Sequence, residues 1–500
     1  MKYTIGVDIG TSGAKAVAID ESGMRLFVCS VSYSPISSAD PNRHELDCNV
    51  LINAFADVVN RTVEALPQSR PVAICLSTAM HGLICLDQNN EPLSNFITWA
   101  DQRSIDVAEM MQSGGMSEII HRNCGVPIHP MLPLCKIAWI RENDTSLFEH
   151  TRKFTGIKEY ILWKFFGKIC VDPSLAGAMG LFNIYSQNWD PVALQLAGIE
   201  SGLLPELVGG NTSLSGLTLY GQSHLSVPTD IQMIIGSSDG CLANVGSGCY
   251  DNTTIALTIG TSGAARRIVH KEQYEYDKRT FAYCLEDRLV IGGPVNNGGI
   301  LLKWYSEKFL DRKLSTAENY EWFVGRAMSS VPGSNGLLFL PYIFGERAPV
   351  WDAKAKGAFI GIHNSHGSDD FMRAILEGIA FSLKKILLGL CNEKEGSTKI
   401  FASGGFTHSP EWVQLLADVV GMPIYVRDEG DASAIGAAIM GMKALGWIEH
   451  FESSHSSDYK HVYQPSLDNK VLYDKLYQLH EGLYDKLVST FHALHEITSV

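Results

Sequence analysis

Short apolar, β-branched runs bounded by turn residues recur along this chain. Tyr3-Thr4-Ile5-Gly6-Val7-Asp8 predicts a strand, Gly10-Thr11-Ser12-Gly13 a turn, and Ala14-Lys15-Ala16-Val17-Ala18-Ile19 a second strand ending at Asp20-Glu21-Ser22-Gly23. That pattern is a hairpin. A second one is predicted from Thr253–Thr258, the turn Gly260-Thr261-Ser262-Gly263 and Ala265–Val269. The apolar run Met233-Ile234-Ile235 predicts a strand that ends just before Ser237-Ser238-Asp239-Gly240. Helical signals come later. Ser409 and Pro410 mark a helix start and Gly421 its stop, by the usual chemistry of caps. Ala432, Ala434, Gly436, Ala437 and Ala438 read as a closely packed small-residue helix without chemistry of its own. From about residue 447 the chain reads as helix, with Leu472, Leu476, Leu479, Leu483 and Leu487 as its inward stripe.

A strand leading through a glycine turn into another strand excludes the Rossmann and Walker loops, which lead from a strand into a helix. The hexapeptide Ile-Gly-Thr-Ser-Gly-Ala stands at 9–14 and again at 259–264. Two identical copies in matching contexts, half a chain apart, indicate a duplication and two similar domains facing each other. Such turns expose backbone N–H groups and hydroxyls that suit phosphate oxygens. The copies differ where chemistry would need them to. Asp8 has Thr258 as its counterpart, and Lys15 has Ala265. The reacting phosphate is therefore expected nearer the first loop.

Composition narrows the classes. Of 500 residues, 45% are hydrophobic and 19% charged, enough for a large core and too apolar for a disordered chain. Forty Lys and Arg against 54 Asp and Glu give a net charge of −14, so a nucleic-acid partner is not expected. The 11 scattered cysteines contain no C-x-x-C pair, which predicts reduced, buried thiols. The acidic residue at position 8 and the lack of a long apolar run predict a cytoplasmic protein with no membrane partner. Oligomeric state stays open, and a homodimer, common among soluble proteins, is compatible with the sequence.

Two longer patterns carry a resemblance. One is Met131-x-Pro133-x-x-Lys136-Ile137-x-Trp139-Ile140-x-Glu142-Asn143. The other joins Gly357-x-Phe359-x-Gly361-Ile362 to Asp370-Phe371-x-x-Ala374-Ile375-Leu376-Glu377. With the two loops, they make the chain resemble the FGGY carbohydrate kinases of the actin, sugar-kinase and heat-shock superfamily, over residues 1 to about 445. The resemblance implies an α/β fold of two duplicated ribonuclease-H-like domains, with ATP and sugar meeting in the cleft between them. It divides the chain into a sugar-binding domain at 1–245, a nucleotide-binding domain at 246–446 and a helical tail at 447–500.

Phosphoryl transfer needs charge neutralisation, alignment and a base near the acceptor hydroxyl. Asp239 lies past a strand end, where active-site residues of α/β sheets gather, and it matches the family's catalytic Asp-Gly. Asp8 is expected to hold Mg²⁺ together with Asp239. Gly10, Thr11, Ser12 and Lys15 are placed at the phosphates, with Gly260 and Thr261 on their other side. Gly404 and Gly405 are placed at the adenosine, and Asn297 and Gly298 beside the nucleotide. Met80, His81, Asp101 and Arg103 are placed at the sugar, along with Asp239.

The phrases Ser77-Thr78-Ala79-Met80-His81, Thr98-Trp99-Ala100-Asp101 and Thr155-Gly156-Ile157-Lys158-Glu159-Tyr160 resemble the gluconate kinases of the family. Pentulose kinases usually carry Asn-Asp where this chain has Ala100-Asp101, and Gln where it has Ala79. A gluconate carboxylate would want a cation, and Lys158, Arg103 or a protonated His81 could serve. The expected activity is thus ATP-dependent phosphorylation of D-gluconate to 6-phosphogluconate. A pentulose kinase acting on xylulose or ribulose is the alternative. A non-catalytic ATP switch is the remote one, disfavoured by the intact Asp8 and Asp239.

Overall fold

The computed structural model describes residues 1–391, 398–427, 430–454 and 459–498. Two compact units emerge, and neither is continuous in sequence. The first comprises Met1–Tyr250, Val269–Val290 and Asp431–Ser456, and the second comprises Asp251–Ile268, Ile291–Gly430 and Ser457–Val500. The small-residue helix Ala432–Ala444 thus belongs to the first unit, although it lies far along the chain.

The first unit is built on β1 (Lys2–Ile9), β2 (Gly13–Asp20), β3 (Arg25–Ser32), β4 (Arg70–Thr78), β5 (Ser213–Leu214) and β6 (Gln232–Ser238). Their order in the sheet is β5-β6-β4-β1-β2-β3. The hairpin expected from the sequence is β1 against β2, with Asp8 opposite Lys15. β1, β4 and β6 run parallel, so Asp8 lies beside Ser77 and Thr78 beside Ser238. Three strand ends therefore present their chemistry together. Both faces of β1 are covered. Tyr3, Ile5, Val7 and Ile9 join a core with helix Cys48–Ala65. On the other face, a Cβ at Gly6 would lie 2.0 Å from the Ala434 carbonyl oxygen, so only glycine lets helix Ala432–Ala444 approach.

In the second unit β7 (Thr254–Ile259), β8 (Gly263–His270), β9 (Arg288–Val295), β10 (Lys399–Ser403), β11 (Ile424–Val426) and β12 (His461–Tyr463) are six neighbouring strands of a seven-stranded sheet, in the order β9-β8-β7-β10-β11-β12. The second hairpin is present, but its register differs from the first by one residue. Ile9 pairs with Ala14, whereas Ile259 pairs with Gly263. Gly10 N–H accordingly donates to Gly13 O, and Gly260 N–H to Ser262 O. Ala265 lies opposite Leu257 as a result, so it is not the spatial counterpart of Lys15.

The tail corrects one expectation. It forms two helices, Leu467–Glu481 and Leu483–Thr498, preceded by the edge strand β12. The buried residues of the first are Tyr473, Tyr477 and His480, with Leu476 half-buried and Leu472 and Leu479 exposed, whereas Leu483 and Leu487 pack on Leu340, Tyr342 and Phe491 as expected. Partnering explains the choice of face. Tyr473 Oη donates to Glu377 Oε1 at 2.7 Å and accepts from Arg373 at 3.0 Å, and His480 Nε2 lies 3.0 Å from Phe339 O. Aromatic rings with a satisfied polar tip bury more surface than leucine does. Among the described residues no cysteine is in a disulfide, and all are buried except the half-buried Cys391. Among the described residues no helix is long and apolar enough to cross a membrane.

Candidate active site

In the first unit the carboxylates sit at strand and helix ends. Asp8 closes β1, and Ser77 Oγ from the end of β4 donates to its Oδ1 at 2.6 Å. Burial, and next the charge of Asp239, push the Asp8 carboxyl up to about 7. Asp239 is the first residue of helix Asp239–Gly246, whose N-cap is Ser238, and its Oδ1 accepts Gly240 N–H at 2.7 Å. Lys15, expected at the phosphates, holds Asp431 at 2.6 Å in an ion pair. Asp431 has φ 66° and stands at the N-cap position of helix Ala432–Ala444, its side chain making no capping bond. Three carboxylates against one ammonium leave a local excess of negative charge. Among the described residues no cluster of three or more His, Cys, Asp or Glu could hold a metal alone. Two carboxylates at Asp8 and Asp239 suit Mg²⁺ better, because that ion keeps several waters and takes few protein oxygens.

The first glycine turn is fixed from below. Tyr33 Oη donates to Gly10 O at 2.6 Å, and Tyr33 N–H to Ser12 O at 3.2 Å. These bonds spend carbonyls and leave Thr11 half-buried and Ser12 exposed, the disposition an anion would need.

The residues expected at the sugar fall on two loops. His81 has φ 63° and is buried. Its Nδ1 lies 2.7 Å from Ala178 O, which only accepts, so Nδ1 carries a proton. Its Nε2 meets Tyr283 Oη at 3.2 Å. On the other loop Asp101 is buried and accepts His44 N–H at 3.0 Å and Arg103 Nε on both oxygens at 3.0 Å. Arg103 also donates to Glu45 at 2.6 Å and lies over the Trp139 ring. Arg103 is therefore a brace between acidic groups. Met80 precedes His81 in the half-buried turn after β4. Lys158, considered above as a carboxylate's cation, is corrected by its surroundings. Its ammonium is fully buried and bonded to Asp172 at 2.8 Å, so it is spent on the protein.

The second unit contains a cavity of about 450 Å³. Gly260, Thr261, Gly405 and Phe406 line it, with Ile300 and Tyr320 among their neighbours. The second glycine turn and the double glycine predicted for adenosine thus share one cavity. Gly404, at φ 98°, lets the chain turn there, and a Cβ on it would meet Ile259 O at 2.5 Å. Asn297 is spent on Gly345 O and Glu346, and accepts Phe344 N–H. Gly298 packs on the turn itself, with a hypothetical Cβ 2.7 Å from Ser262 O. Asn297 and Gly298 therefore hold the loop that lines the cavity.

The N-terminal domain of the FGGY family of carbohydrate kinases matches residues 3–246, and the C-terminal domain of that family matches 255–445. The chain belongs to this family. It is 37% identical to a gluconokinase of Bacillus subtilis over 470 residues, covering 92% of this chain and 91% of that protein. A gluconate kinase from Lactobacillus acidophilus superposes with a TM-score of 0.92 at 31% identity, covering 99% of each chain. A ligand-bound xylulose kinase from the same bacterium also gives 0.92 at 31% identity, covering 99% of this chain and 100% of that one.

In this FGGY kinase several residues around the site escape sequence reasoning. Asp431 and Tyr33 carry no motif of their own, Ser77 stands in a phrase that gave it no role, and all three gain meaning only from the partners named above. Lys136 stands inside a quoted signature, yet its pattern gave no role. Its buried ammonium donates to the carbonyls of His81 and Thr98, one on each of the loops expected at the sugar.

Proposed function

We propose that this kinase transfers the γ-phosphoryl group of ATP to D-gluconate, giving 6-phosphogluconate and ADP. The likeness to the Bacillus subtilis gluconokinase along nearly the whole chain carries the substrate assignment. Asp239 accepts the proton of the acceptor hydroxyl as that oxygen bonds to the γ-phosphorus and the bond to the bridging oxygen of ADP breaks. Its place at a helix start, just past the end of β6, sets one carboxylate oxygen on Gly240 N–H. Asp8 and Asp239 are the residues that would hold Mg²⁺, which supplies charge neutralisation when bound. The exposed turn at Thr11 and Ser12 receives phosphate oxygens, and the cavity of the second unit receives the adenosine. His81 meets the sugar acid on the strength of the family pattern, while Lys158 is bonded to Asp172 and Arg103 to Asp101 and Glu45. ATP and a sugar acid as substrates place this work in the cytoplasm.

The similarity to a xylulose kinase supports a second reading, a pentulose kinase with the same catalytic groups and a different pocket. A coupled ADP-release assay with Mg²⁺, ATP and gluconate, xylulose, ribulose, glycerol or rhamnulose separates the two. Turnover of gluconate alone is expected. Preferred turnover of a pentulose would overturn the substrate and keep the chemistry.

A further inference from the structure

The end of β6 is not held by a regular ladder. Its pairing to β4 shifts register between Ile234 and Ser237, where Gly236 adopts φ 77° and a Cβ would lie 1.7 Å from Leu76 O. A strand bent this way needs another means of fixing Ser237 and Ser238, and with them Asp239.

A buried polar network provides it. Lys158 Nζ donates to Asp172 Oδ2 at 2.8 Å and to Ser237 O at 3.0 Å. Asp172 caps helix Pro173–Ala178, its Oδ1 accepting Ser174 N–H at 3.0 Å and the Ser174 hydroxyl. Ser174 Oγ also lies 2.7 Å from Ser237 Oγ and 2.8 Å from Ser238 N. A hydroxyl has one proton and two lone pairs. The carboxylate can only accept, so the Ser174 proton goes to Asp172, and its lone pairs take Ser238 N–H and Ser237 O–H. Every bonding position of Ser174 is then used. Lys158 and Ser174 are each 0% exposed, and Asp172 is 2% exposed. Three buried side chains from two helices thus grip two successive residues of a bent strand, and the next residue is Asp239.

We infer that Ser174, oriented by the Lys158–Asp172 pair, is a positioning residue for the general base. The inference rests on the reading of Asp239 as that base. Through Ser238 it fixes the first turn of helix Asp239–Gly246, and so where the Asp239 carboxylate points. Ser174 is fully buried, so its loss is expected to act on turnover and leave binding alone.

The test compares Ser174→Ala, Ser174→Thr, Ser237→Ala and Asp239→Asn by steady-state kinetics on the full chain, using ATP and whichever sugar of the panel turns over. A displacement near 1 Å can cost about 10²-fold in rate. S174A is expected to lower kcat by roughly 10- to 100-fold with both KM values within about twofold. S174T, which restores the hydroxyl, should recover most of the loss. S237A, which removes one donor to Ser174, should give a smaller fall and decides the matter if S174A does not fold. A kcat in S174A within twofold of wild type overturns the inference, as does a loss that appears equally in KM or is not relieved by threonine. Should D239N retain wild-type turnover, the reading of Asp239 fails instead, whatever Ser174 does.

Discussion

Lys136 Nζ donates to the carbonyl oxygen of His81 at 2.7 Å, and the same ammonium donates to Thr98 O at 2.7 Å. One buried cation therefore ties together the two loops assigned to the sugar. Its helix, Pro133–Asn143, also brings Trp139 beneath the Arg103 guanidinium. The family signature around Lys136 thus serves to join loops that lie apart in sequence.

Lys136→Met keeps the volume and removes both donors. The KM for the sugar should rise at least about tenfold, with the KM for ATP unchanged, because two buried carbonyls lose partners and the loops part. The pH dependence has a definite sign. Burial pushes the Lys136 ammonium down to about 7. Between that value and the ordinary lysine range the unfolded chain binds more protons, so the folded state gains stability as pH rises. Wild type should gain on the methionine variant by up to about 1.4 kcal/mol per pH unit there. Urea unfolding at pH 7 and pH 9 measures it, and a difference that stays constant refutes the charge argument.

Asp8→Asn should separate stability from activity. The amide oxygen still accepts from Ser77 Oγ, so the local fold persists. The wild-type carboxyl is raised to about 7, so the native state binds the extra proton between its ordinary range and that value. Wild-type stability therefore falls with pH across this window, and asparagine does not titrate. The variant should melt at or above the wild-type temperature at pH 8 and show no such advantage at pH 4. Turnover should drop by at least about 10²-fold and need more Mg²⁺, as electrostatic stabilisation lost from a phosphoryl-transfer site costs on that order. Calorimetry at the two pH values with a Mg²⁺ titration of activity tests both halves.

Legibility followed the range of the interactions. The two hairpins, the strand before Asp239 and the helix from Pro410 to Val420 were plain because turn and cap chemistry is local. The one-residue difference in register between identical turns was hidden, since it depends on what each turn packs against. Gly260 O, for example, accepts Gly299 N–H in the second unit. The leucine stripe of the tail held for Leu483 and Leu487 and failed at Leu472 and Leu479 for a similar reason. Tyr473 and His480 turn inward only because Glu377, Arg373 and Phe339 O wait there. Lys158 illustrates the same limit at the site, where a cation in a suggestive motif proved to be bound to Asp172, fourteen positions along the chain.

Lys15 tests the first phosphate loop. Its pair with Asp431 is about half exposed on the lysine side, at 47%, and exposed pairs contribute only about 0–1 kcal/mol. Lys15→Met should therefore leave the melting temperature within a few degrees. If the ammonium exchanges Asp431 for phosphate oxygens, kcat/KM for ATP should fall at least about tenfold, the scale of one charge-assisted hydrogen bond. Unchanged ATP kinetics would confine Lys15 to its bridge with Asp431.

Gly436→Ala probes how the two carboxylate-bearing helices are held. A Cβ there would lie 1.9 Å from Leu242 O, and one at Gly246 would lie 1.8 Å from Ala432 O. Helices Asp239–Gly246 and Ala432–Ala444 are thus in backbone contact, and Asp239 and Asp431 stand at their starts. Alanine improves helix propensity by about 1 kcal/mol. Overpacking costs about 1–3 kcal/mol, and here the obstacle is a backbone carbonyl with nowhere to go, so the clash wins. The variant should be destabilised, and its turnover should fall further than its stability because the helix starts are pushed apart. Gly202→Ala is the control, as nothing lies within 4 Å of a Cβ there, and it should match wild type in both respects. Equal behaviour of the two alanine variants would show that the helix contact does not govern where Asp239 sits.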